Sequence, residues 1–580
     1  MGKLKKLFTG AGMLAAAMVA AKLIGVLYRI PLTNILGSEG MGLYQMVFPF
    51  YTLLLTVSGG GLPAAISRTV AVRLARGDER GADRALWVSM AAFSLVGLLG
   101  ALVVFLLAAP LASAQGNDRA AAAYAGIAPA ILFVAVIACF RGFFQGRQNM
   151  LPSAVSQLTE QLVKLILGLF LAALLLPRGL EWGVLGALLG ISISEAAALL
   201  ALFLLFLTTR GRNNRRAARQ NRRAALFESA GELDPLRPTS DISVISTGAV
   251  RARAAERAGR RAEAESVGQL LKGLLRIALP VTFGSLILPV TQVVDSMLII
   301  NLLVGAGTGV AGATSLYGLY NGIVMTIIHM PVVVVSAFSV ALMPRLTRLK
   351  ETDKDLRPEI AYNLKLTAVM SAAFFVLVTA LGGDVVALLY AKGLSAAELG
   401  LSALLLRLSG PAVLFMSMIH LATAVLQGCN KPARPALNLL LGALVKIALT
   451  ALLLRVIGIY GALIGTVACY LVTAALDTVM MNRASGSALR VLPFWKLTVS
   501  CLGFAAVSVG LWFLANLFAL APLWRLVVAA PPGLAVFVGL LLWTRFFSGA
   551  ELTRLIPFHH PRRKKHLNRK TAEKPAEKER

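Results

Sequence analysis

The chain has 580 residues, of which 57% are hydrophobic and only 14% are charged, and its mean hydropathy is +0.76. Water-soluble domains carry about 25% charged residues, so this composition excludes an ordinary soluble enzyme and indicates a polytopic membrane protein. The formal net charge is +30, but the basic residues lie between apolar runs and near the C-terminus, without interleaved aromatic residues. We therefore expect no nucleic-acid binding.

Apolar runs long enough to cross a bilayer recur along the whole chain. A membrane-spanning helix needs about 20 apolar residues, and the runs bounded by charge, Gly or Pro predict about fourteen such helices. They are expected near residues 10–32, 43–66, 86–109, 121–140, 154–176, 183–207, 275–303, 315–341, 362–382, 401–426, 436–456, 460–481, 494–519 and 526–547. The predicted fold class is an all-α polytopic membrane protein.

The order of helices and charges predicts five regions. They are an N-terminal six-helix lobe (1–207), a basic cytoplasmic linker (208–272), a C-terminal six-helix lobe (273–483), a last helix pair (484–548) and a basic tail (549–580). Basic residues are concentrated in alternate connections, so the positive-inside rule predicts that both termini are cytoplasmic. Anionic lipid headgroups are expected partners of the linker and the tail.

Two motifs recur in the same order in the two lobes. Lys164 follows Gln145 by 19 residues, and Lys446 follows Gln427 by 19 residues. A Gly-Ala-Leu-x-Gly segment then appears in each lobe, at residues 186–190 and 461–465. Because each lobe has an even number of helices, the repeat is parallel, and substrate is expected near the midplane between the lobes.

Charged side chains at membrane depth are costly and need a reason. Lys22 and Arg29 are seven residues apart on the first helix, so they share a face that either lines a central cavity or lets Arg29 snorkel outward. Glu160 and Lys164 form an i,i+4 pair on the fifth helix, and they either neutralise each other or line the substrate site. Lys446 has no acid four residues before it, which favours an anionic partner elsewhere.

Two further residues are candidates for ion coupling or charge balance. Asp295 on the seventh helix would balance a basic side chain or bind a coupling cation or proton. His329 on the eighth helix is either a hydrogen-bonded packing residue or a proton switch. We find no catalytic constellation and no metal-ligand spacing among the four cysteines, so neither enzymatic activity nor a metal or cofactor is expected.

Four segments resemble the SpoVB/MurJ-type polysaccharide flippases of the multidrug/oligosaccharidyl-lipid/polysaccharide (MOP) superfamily: KLIGVLYRIP at 22–31, NILG at 34–37, GGGLPAAISR at 59–68 and ALMPRLTR at 341–348. The resemblance covers essentially the whole chain. It implies two lobes that rock about a central cavity in the bacterial cytoplasmic membrane and move a lipid-linked oligosaccharide, most often lipid II, outward. Residues 319–326 lack the arginine of the better-known MurJ branch, which favours the SpoVB-like branch.

The residues and the resemblance together predict a flippase for an undecaprenyl-diphosphate-linked oligosaccharide. The residues predicted to line its cavity are Lys22, Arg29, Glu160, Lys164 and Lys446. Cell-wall synthesis proteins are further candidate partners. Two alternatives remain: a drug/cation antiporter of the same superfamily, whose cavity should be acidic and aromatic, and a non-transporting membrane scaffold that acts through the linker and the tail.

Overall fold

The computed structural model describes residues 10–231, 266–352, 354–429, 431, 433–485 and 492–555, and within these ranges the regular structure is entirely helical. The helices of the first half are α1 (Gly10–Gly59), α2 (Leu62–Ala75), α3 (Glu79–Leu106), α4 (Ala108–Ala114), α5 (Ala121–Gly146), α6 (Leu151–Val163), α7 (Leu169–Leu175) and α8 (Leu180–Gly231). The helices of the second half are α9 (Val267–Gly305), α10 (Val310–Tyr317), α11 (Met325–Glu351), α12 (Arg357–Tyr390), α13 (Ala396–Leu408), α14 (Gly410–Gly428), α15 (Ala433–Ile457), α16 (Ile459–Ser485), α17 (Phe494–Leu517), α18 (Pro522–Trp543) and α19 (Gly549–Leu555). Short π-helical segments connect α6 to α7 (Lys164–Gly168) and α10 to α11 (Gly318–Val324).

Helix α1 makes two membrane crossings that are joined at Gly37. A straight helix of 50 residues would extend about 75 Å and would hold Lys22 and Thr56 far apart. Both residues line one cavity, so the chain reverses direction between them. Gly37 has a φ of 69°, a left-handed conformation that glycine adopts without steric penalty. The described residues contain thirteen helical spans long and apolar enough to cross a membrane. The first of these spans makes two crossings, so the described residues make fourteen crossings in total. The predicted fold class, an all-α polytopic membrane protein, is confirmed.

The repeated glycines hold the same pair of helices together in each lobe. A Cβ on Gly190 of α8 would lie 2.3 Å from the Cα of Gly168, which is in the π-helical segment that begins at Lys164. A Cβ on Gly465 of α16 would lie 3.0 Å from the carbonyl oxygen of Lys446 on α15. Only a residue without a side chain permits such close packing. The lysine-bearing helix of each lobe is therefore packed tightly against the helix that follows it.

Helix α9 contacts both lobes. It begins at a capping box formed by Ser266 and Gln269. Its first turns bury Leu270, Leu274 and Ala278 in a cluster whose other buried members belong to the N-terminal lobe. Its second half packs against α15, where Asp295 meets Lys446. Two prolines lie within the helix, and proline removes a backbone hydrogen bond and allows a helix to bend.

Much of the predicted linker and tail lies outside the described residues. Helix α8 continues past the predicted end of its span to Gly231, and α9 begins at Val267. Residues 232–265 of the linker and 556–580 of the tail lie outside the described ranges. The start of the tail is helix α19, where Glu551 forms an ion pair of 2.9 Å with Lys365 of α12.

The last helix pair packs on the C-terminal lobe and exposes large apolar side chains. Trp512 of α17 and Arg525 of α18 both approach the Asp384 carboxylate of α12, with 3.5 Å between the Arg525 guanidinium and one carboxylate oxygen. Phe513 and Trp543 are 66% and 78% exposed, as expected for side chains that face lipid.

Besides the start of α9, which packs on the N-terminal lobe, the two lobes contact each other at the end of the bundle that carries Gly37. We define the basic end as the end that carries α2 and the start of α9, and the opposite end as the one that carries Gly37. At the opposite end, Asn34 of α1 donates a hydrogen bond of 2.7 Å to the Leu389 carbonyl of α12. Asn117 donates one of 2.9 Å to the Thr314 hydroxyl of α10. These contacts close the bundle at the opposite end.

Glu398 is the charged acceptor in this contact. It caps α13 through Ser395 and also accepts hydrogen bonds from Ser38 of the other lobe and from Ser315. Burial raises the pKa of the Glu398 carboxyl, but the hydrogen bonds from these serines lower it by more, so that the pKa lies below its ordinary value. The carboxyl is therefore ionised at neutral pH, which strengthens its bond to Ser38.

Replacing Gly42 with leucine is expected to separate the lobes at the opposite end. A Cβ at Gly42 would lie 2.0 Å from the carbonyl oxygen of Thr314, so the helices must move apart to admit it. Ser38 is buried in the parent protein. A cysteine introduced by Ser38→Cys should therefore react several-fold faster with a membrane-impermeant maleimide when Gly42→Leu is present than when it is absent. Gly305→Leu is the matched control because no atom lies within 4 Å of a Cβ there. Equal labelling in both variants would contradict the contact.

Candidate functional site

A cavity of about 490 Å³ lies in the N-terminal lobe, on the basic-end side of the lobe contact. Helices α1, α2, α5, α6 and α8 line it, and α9 contributes one residue. Its polar lining side chains are Lys22, Thr56, Arg141, Gln157, Glu160, Gln161, Glu195 and Ser285. Two of the predicted site residues, Lys22 and Glu160, are among them, and we refer to this space as the N-lobe cavity.

Lys164 lies at the edge of the N-lobe cavity over an aromatic ring. Its ammonium nitrogen is 5.6 Å from the centroid of the Tyr28 ring, a distance at which a cation–π attraction operates. The nitrogen is also 3.8 Å from the position that a Cβ on Gly25 would occupy, and Gly25 lines the cavity. The missing side chain at Gly25 thus leaves room for Lys164 beside the cavity.

Glu160 pairs with Arg141 and not with Lys164. The Arg141 guanidinium is 3.0 Å from one Glu160 carboxylate oxygen, and Gln161 donates a 2.7 Å hydrogen bond to the other. Of the two alternatives for Glu160 and Lys164, the structure does not contain the direct ion pair. The backbone keeps the i,i+4 register, since the Lys164 amide donates to the Glu160 carbonyl, but Arg141 holds the Glu160 carboxylate and the Lys164 ammonium lies over the Tyr28 ring. Within the described residues Lys164 has no carboxylate partner.

Arg141 and Glu195 are cavity residues that the sequence analysis missed. The fourth crossing was predicted to end near residue 140, but α5 continues to Gly146 and places Arg141 in the cavity wall. The apolar Phe143 and Phe144 that follow Arg141 were the available signal for this longer helix. Glu195 is buried and accepts a hydrogen bond of 2.9 Å from the Tyr51 hydroxyl.

Arg29 lies between the lobes, beyond the N-lobe cavity. It is seven residues further along α1 than Lys22, or about 10 Å. Its guanidinium donates a 3.2 Å hydrogen bond to the Thr326 hydroxyl of α11 and lies 5.2 Å from the Phe48 ring centroid. The Arg29 side chain thus points towards the C-terminal lobe. Thr326, which accepts its hydrogen bond, lies within residues 319–326, where this sequence has no arginine.

Lys446 lies in a second cavity, in the C-terminal lobe, and forms a buried ion pair with Asp295. This cavity measures about 50 Å³, and its polar lining side chains are Thr291, Gln292, Asp295, Tyr317, Tyr320, Asn321, His329, Lys446, Thr466, Cys469 and Tyr470. The other Asp295 oxygen has no hydrogen-bond partner within the described residues. The anionic partner that the sequence analysis expected for Lys446 is thus 151 residues away in the chain.

His329 lines the same small cavity, where its Nδ1 atom is hydrogen-bonded to the Met325 carbonyl. The predicted site residues therefore form two groups. Lys22 and Glu160 line the N-lobe cavity and Lys164 lies beside it, whereas Asp295, His329 and Lys446 line the smaller one. Arg29 lies between the two groups.

Comparisons with known proteins agree with this architecture. Residues 7–231 match the family model described as polysaccharide biosynthesis protein. The chain is 27% identical over 508 residues to stage V sporulation protein B of Bacillus subtilis (strain 168), which covers 86% of this chain and 87% of that protein. It is 25% identical over 516 residues to lipid II flippase MurJ of the same organism, which covers 87% of each chain.

Two solved structures show the same fold. Lipid II flippase MurJ in an inward closed conformation superposes with a TM-score of 0.61 at 13% identity, covering 92% of this chain and 98% of that one. An inward-facing multidrug-resistance MATE family transporter of the MOP superfamily gives a TM-score of 0.61 at 14% identity, covering 81% and 96%. The chain is therefore similar in sequence to stage V sporulation protein B and lipid II flippase MurJ, and it shares the fold of the solved MurJ and MATE structures.

Proposed function

We propose that the chain is a flippase that moves an undecaprenyl-diphosphate-linked oligosaccharide from the inner to the outer leaflet, with lipid II as the first candidate. The observation that carries the proposal is the charge of the N-lobe cavity. Glu160 is already paired with Arg141, and Glu195 accepts a hydrogen bond from Tyr51, whereas Lys22 and Lys164 have no carboxylate partner within the described residues. Two cations are thus free to bind an anion.

A lipid diphosphate fits this arrangement chemically. Its headgroup needs a hydrated, cationic cavity, while its polyprenyl tail can remain in the bilayer beside the lobes. Lysine binds phosphate as a point charge, and arginine binds it through a planar fork of donors. We assign Lys22 and Lys164 to the diphosphate in the N-lobe cavity, and Arg29, about 10 Å further along α1, to the same bound headgroup on the side that faces the other lobe.

The closed opposite end supports a direction of transport. The lobes touch at Asn34, Ser38 and Gly42, and the N-lobe cavity lies on the basic-end side of this contact. If the basic end faces the cytoplasm, as the positive-inside rule predicts, the cavity is placed to load from the inner leaflet. A membrane potential that is negative inside favours outward movement of an anion by about 2.3 kcal/mol per charge per 100 mV.

We assign the pair of Asp295 and Lys446 to charge balance. The lysine ammonium occupies the position beside the carboxylate that a coupling cation would need. In this assignment His329 is a packing residue, because its Nδ1 atom is hydrogen-bonded to a backbone carbonyl within its own helix. The pair then holds α9 against α15, and transport does not require a bound metal cation at this position.

Rescue of a bacterium whose own lipid II flippase can be switched off tests the proposed function. Growth should be restored when this chain is expressed and its membrane insertion is verified by immunoblot. Lys22→Ala with Lys164→Ala should abolish rescue, whereas Lys392→Ala, which removes an exposed cation outside the cavity, should preserve it. No rescue despite full insertion would exclude lipid II. Transport of organic cations by the same protein would favour the antiporter instead.

A further inference from the structure

A third cavity, separate from the N-lobe cavity and from the small cavity around Lys446, lies at the basic end. It measures about 690 Å³ and is formed by α2 and the first turns of α9. Its lining residues are Arg68, Thr69, Val72, Arg73, Arg76, Leu270, Gly273, Arg276 and Ile277. We name this cavity the arginine groove. No acidic residue lines it.

Three of its four arginines are available to a ligand. Arg68, Arg76 and Arg276 are exposed and form no ion pair within the described residues. Arg73 is different, because it is buried and donates a 2.8 Å hydrogen bond to the Gly81 carbonyl. It holds α2 against α3, and we assign it no contact with the ligand.

Nearby acidic side chains are engaged elsewhere and do not neutralise the groove. Asp78 caps α3 by accepting a 2.7 Å hydrogen bond from the Gly81 amide. Glu79 and Asp83 both pair with Arg147, at 2.8 and 3.1 Å. The positive charge of the groove therefore has no compensating carboxylate in its lining.

The walls between the arginines are partly apolar and the middle is open. Val72 is 42% exposed, and Leu270 and Ile277 contribute the facing wall on α9. At Gly273 no atom lies within 4 Å of the position of a Cβ, so nothing fills the centre of the groove. Guanidinium groups beside apolar walls, at the end of membrane-spanning helices, suit a lipid headgroup with its acyl chain better than a free phosphate ion.

We propose that the arginine groove binds the phosphate-bearing headgroup of an anionic lipid in the leaflet at the basic end. Arg68 and Arg76 on α2 and Arg276 on α9 contact the phosphate from two sides, since guanidinium donors match phosphate oxygens in pairs. The lipid joins α2 to α9, and α9 also reaches the C-terminal lobe at Asp295. A bound headgroup therefore stabilises the arrangement in which the lobes are closed at the opposite end.

Native mass spectrometry of the purified full-length protein tests the proposal. The probes are phosphatidylglycerol, undecaprenyl diphosphate, phosphatidylcholine and inorganic diphosphate. Arg276→Gln should weaken binding of the anionic lipid at least about tenfold, the loss expected for one charge-assisted hydrogen bond. Lys272→Gln is the matched control, because it removes an exposed cation one turn away on the same helix but outside the groove.

Gly273→Leu provides an independent variant, because it fills the groove and keeps every arginine. It should also weaken lipid binding while leaving the melting temperature unchanged. Displacement of phosphatidylglycerol by undecaprenyl diphosphate would identify a lipid-linked diphosphate as the source of the phosphate, and absence of displacement would identify the anionic phospholipid. Equal lipid retention by Arg276→Gln and Lys272→Gln, or equal binding of phosphatidylcholine or inorganic diphosphate, would overturn the proposal. None of these measurements depends on transport, so their failure leaves the proposed function standing.

Discussion

Asp295→Ala is expected to destabilise the protein by about 3–5 kcal/mol, the usual cost of removing one partner from a buried ion pair. The variant leaves the Lys446 ammonium, which is only 8% exposed, without its counter-ion. Thermal unfolding of the purified protein in detergent measures the effect. Glu351→Ala, which removes an exposed carboxylate, is the control and should leave the melting temperature unchanged.

The double variant Asp295→Leu with Lys446→Leu separates charge balance from ion coupling. Replacing a whole buried pair by apolar residues of similar volume is often neutral for stability. We therefore expect the double variant to regain most of the stability that Asp295→Ala loses and to retain transport. A double variant that is stable but inactive would show that the pair takes part in transport, and one as unstable as Asp295→Ala would contradict the charge-balance role.

Lys22→Ala combined with Arg29→Ala is expected to lower the affinity for an undecaprenyl-diphosphate glycan at least about 100-fold. A hydrogen bond to a charged group contributes about 1.5–3 kcal/mol, and two are lost. Binding of the purified protein to the glycan lipid measures the change. Lys392→Ala with Arg407→Ala removes the same two residue types from exposed positions outside the cavity and should bind as the parent does.

Thr326→Val separates a substrate role of Arg29 from a structural one. The variant removes the 3.2 Å hydrogen bond that Arg29 makes across the lobes but keeps its charge. If Arg29 acts on the substrate, Thr326→Val should bind the glycan lipid nearly as well as the parent. If Thr326→Val lowers the affinity for the glycan lipid as much as Lys22→Ala with Arg29→Ala does, then binding requires the hydrogen bond between the lobes and not the positive charge of Arg29.

The sequence predicts the helices well because their signal is local. Each crossing is a run of apolar residues, and the reversal at Gly37 lies between the predicted spans 10–32 and 43–66. Helix ends are less predictable. The span predicted at 401–426 is broken at Ser409 into α13 and α14, and α5 runs six residues past its predicted end, which hid Arg141.

The partners of the charged residues could not be predicted, because they depend on contacts distant in sequence. The absence of an acid four residues before Lys446 indicated a partner elsewhere, but nothing local identified Asp295, 151 residues away. The spacing of Glu160 and Lys164 suggested a pair because spacing along one helix indicates only partners on that helix. Arg141, which pairs with Glu160 instead, lies on another helix, so this competing partner appears only in the structure.

Transfer of a fluorescent undecaprenyl-diphosphate glycan across proteoliposomes tests the central claim most directly. Purified protein should make the labelled headgroup accessible to an impermeant quencher, and the Lys22→Ala/Arg29→Ala variant should not, although the Lys392→Ala/Arg407→Ala control should. Organic cations offered to the same vesicles should not be accumulated. Accumulation of cations without movement of the glycan lipid would contradict the account and assign the chain to drug or cation antiport.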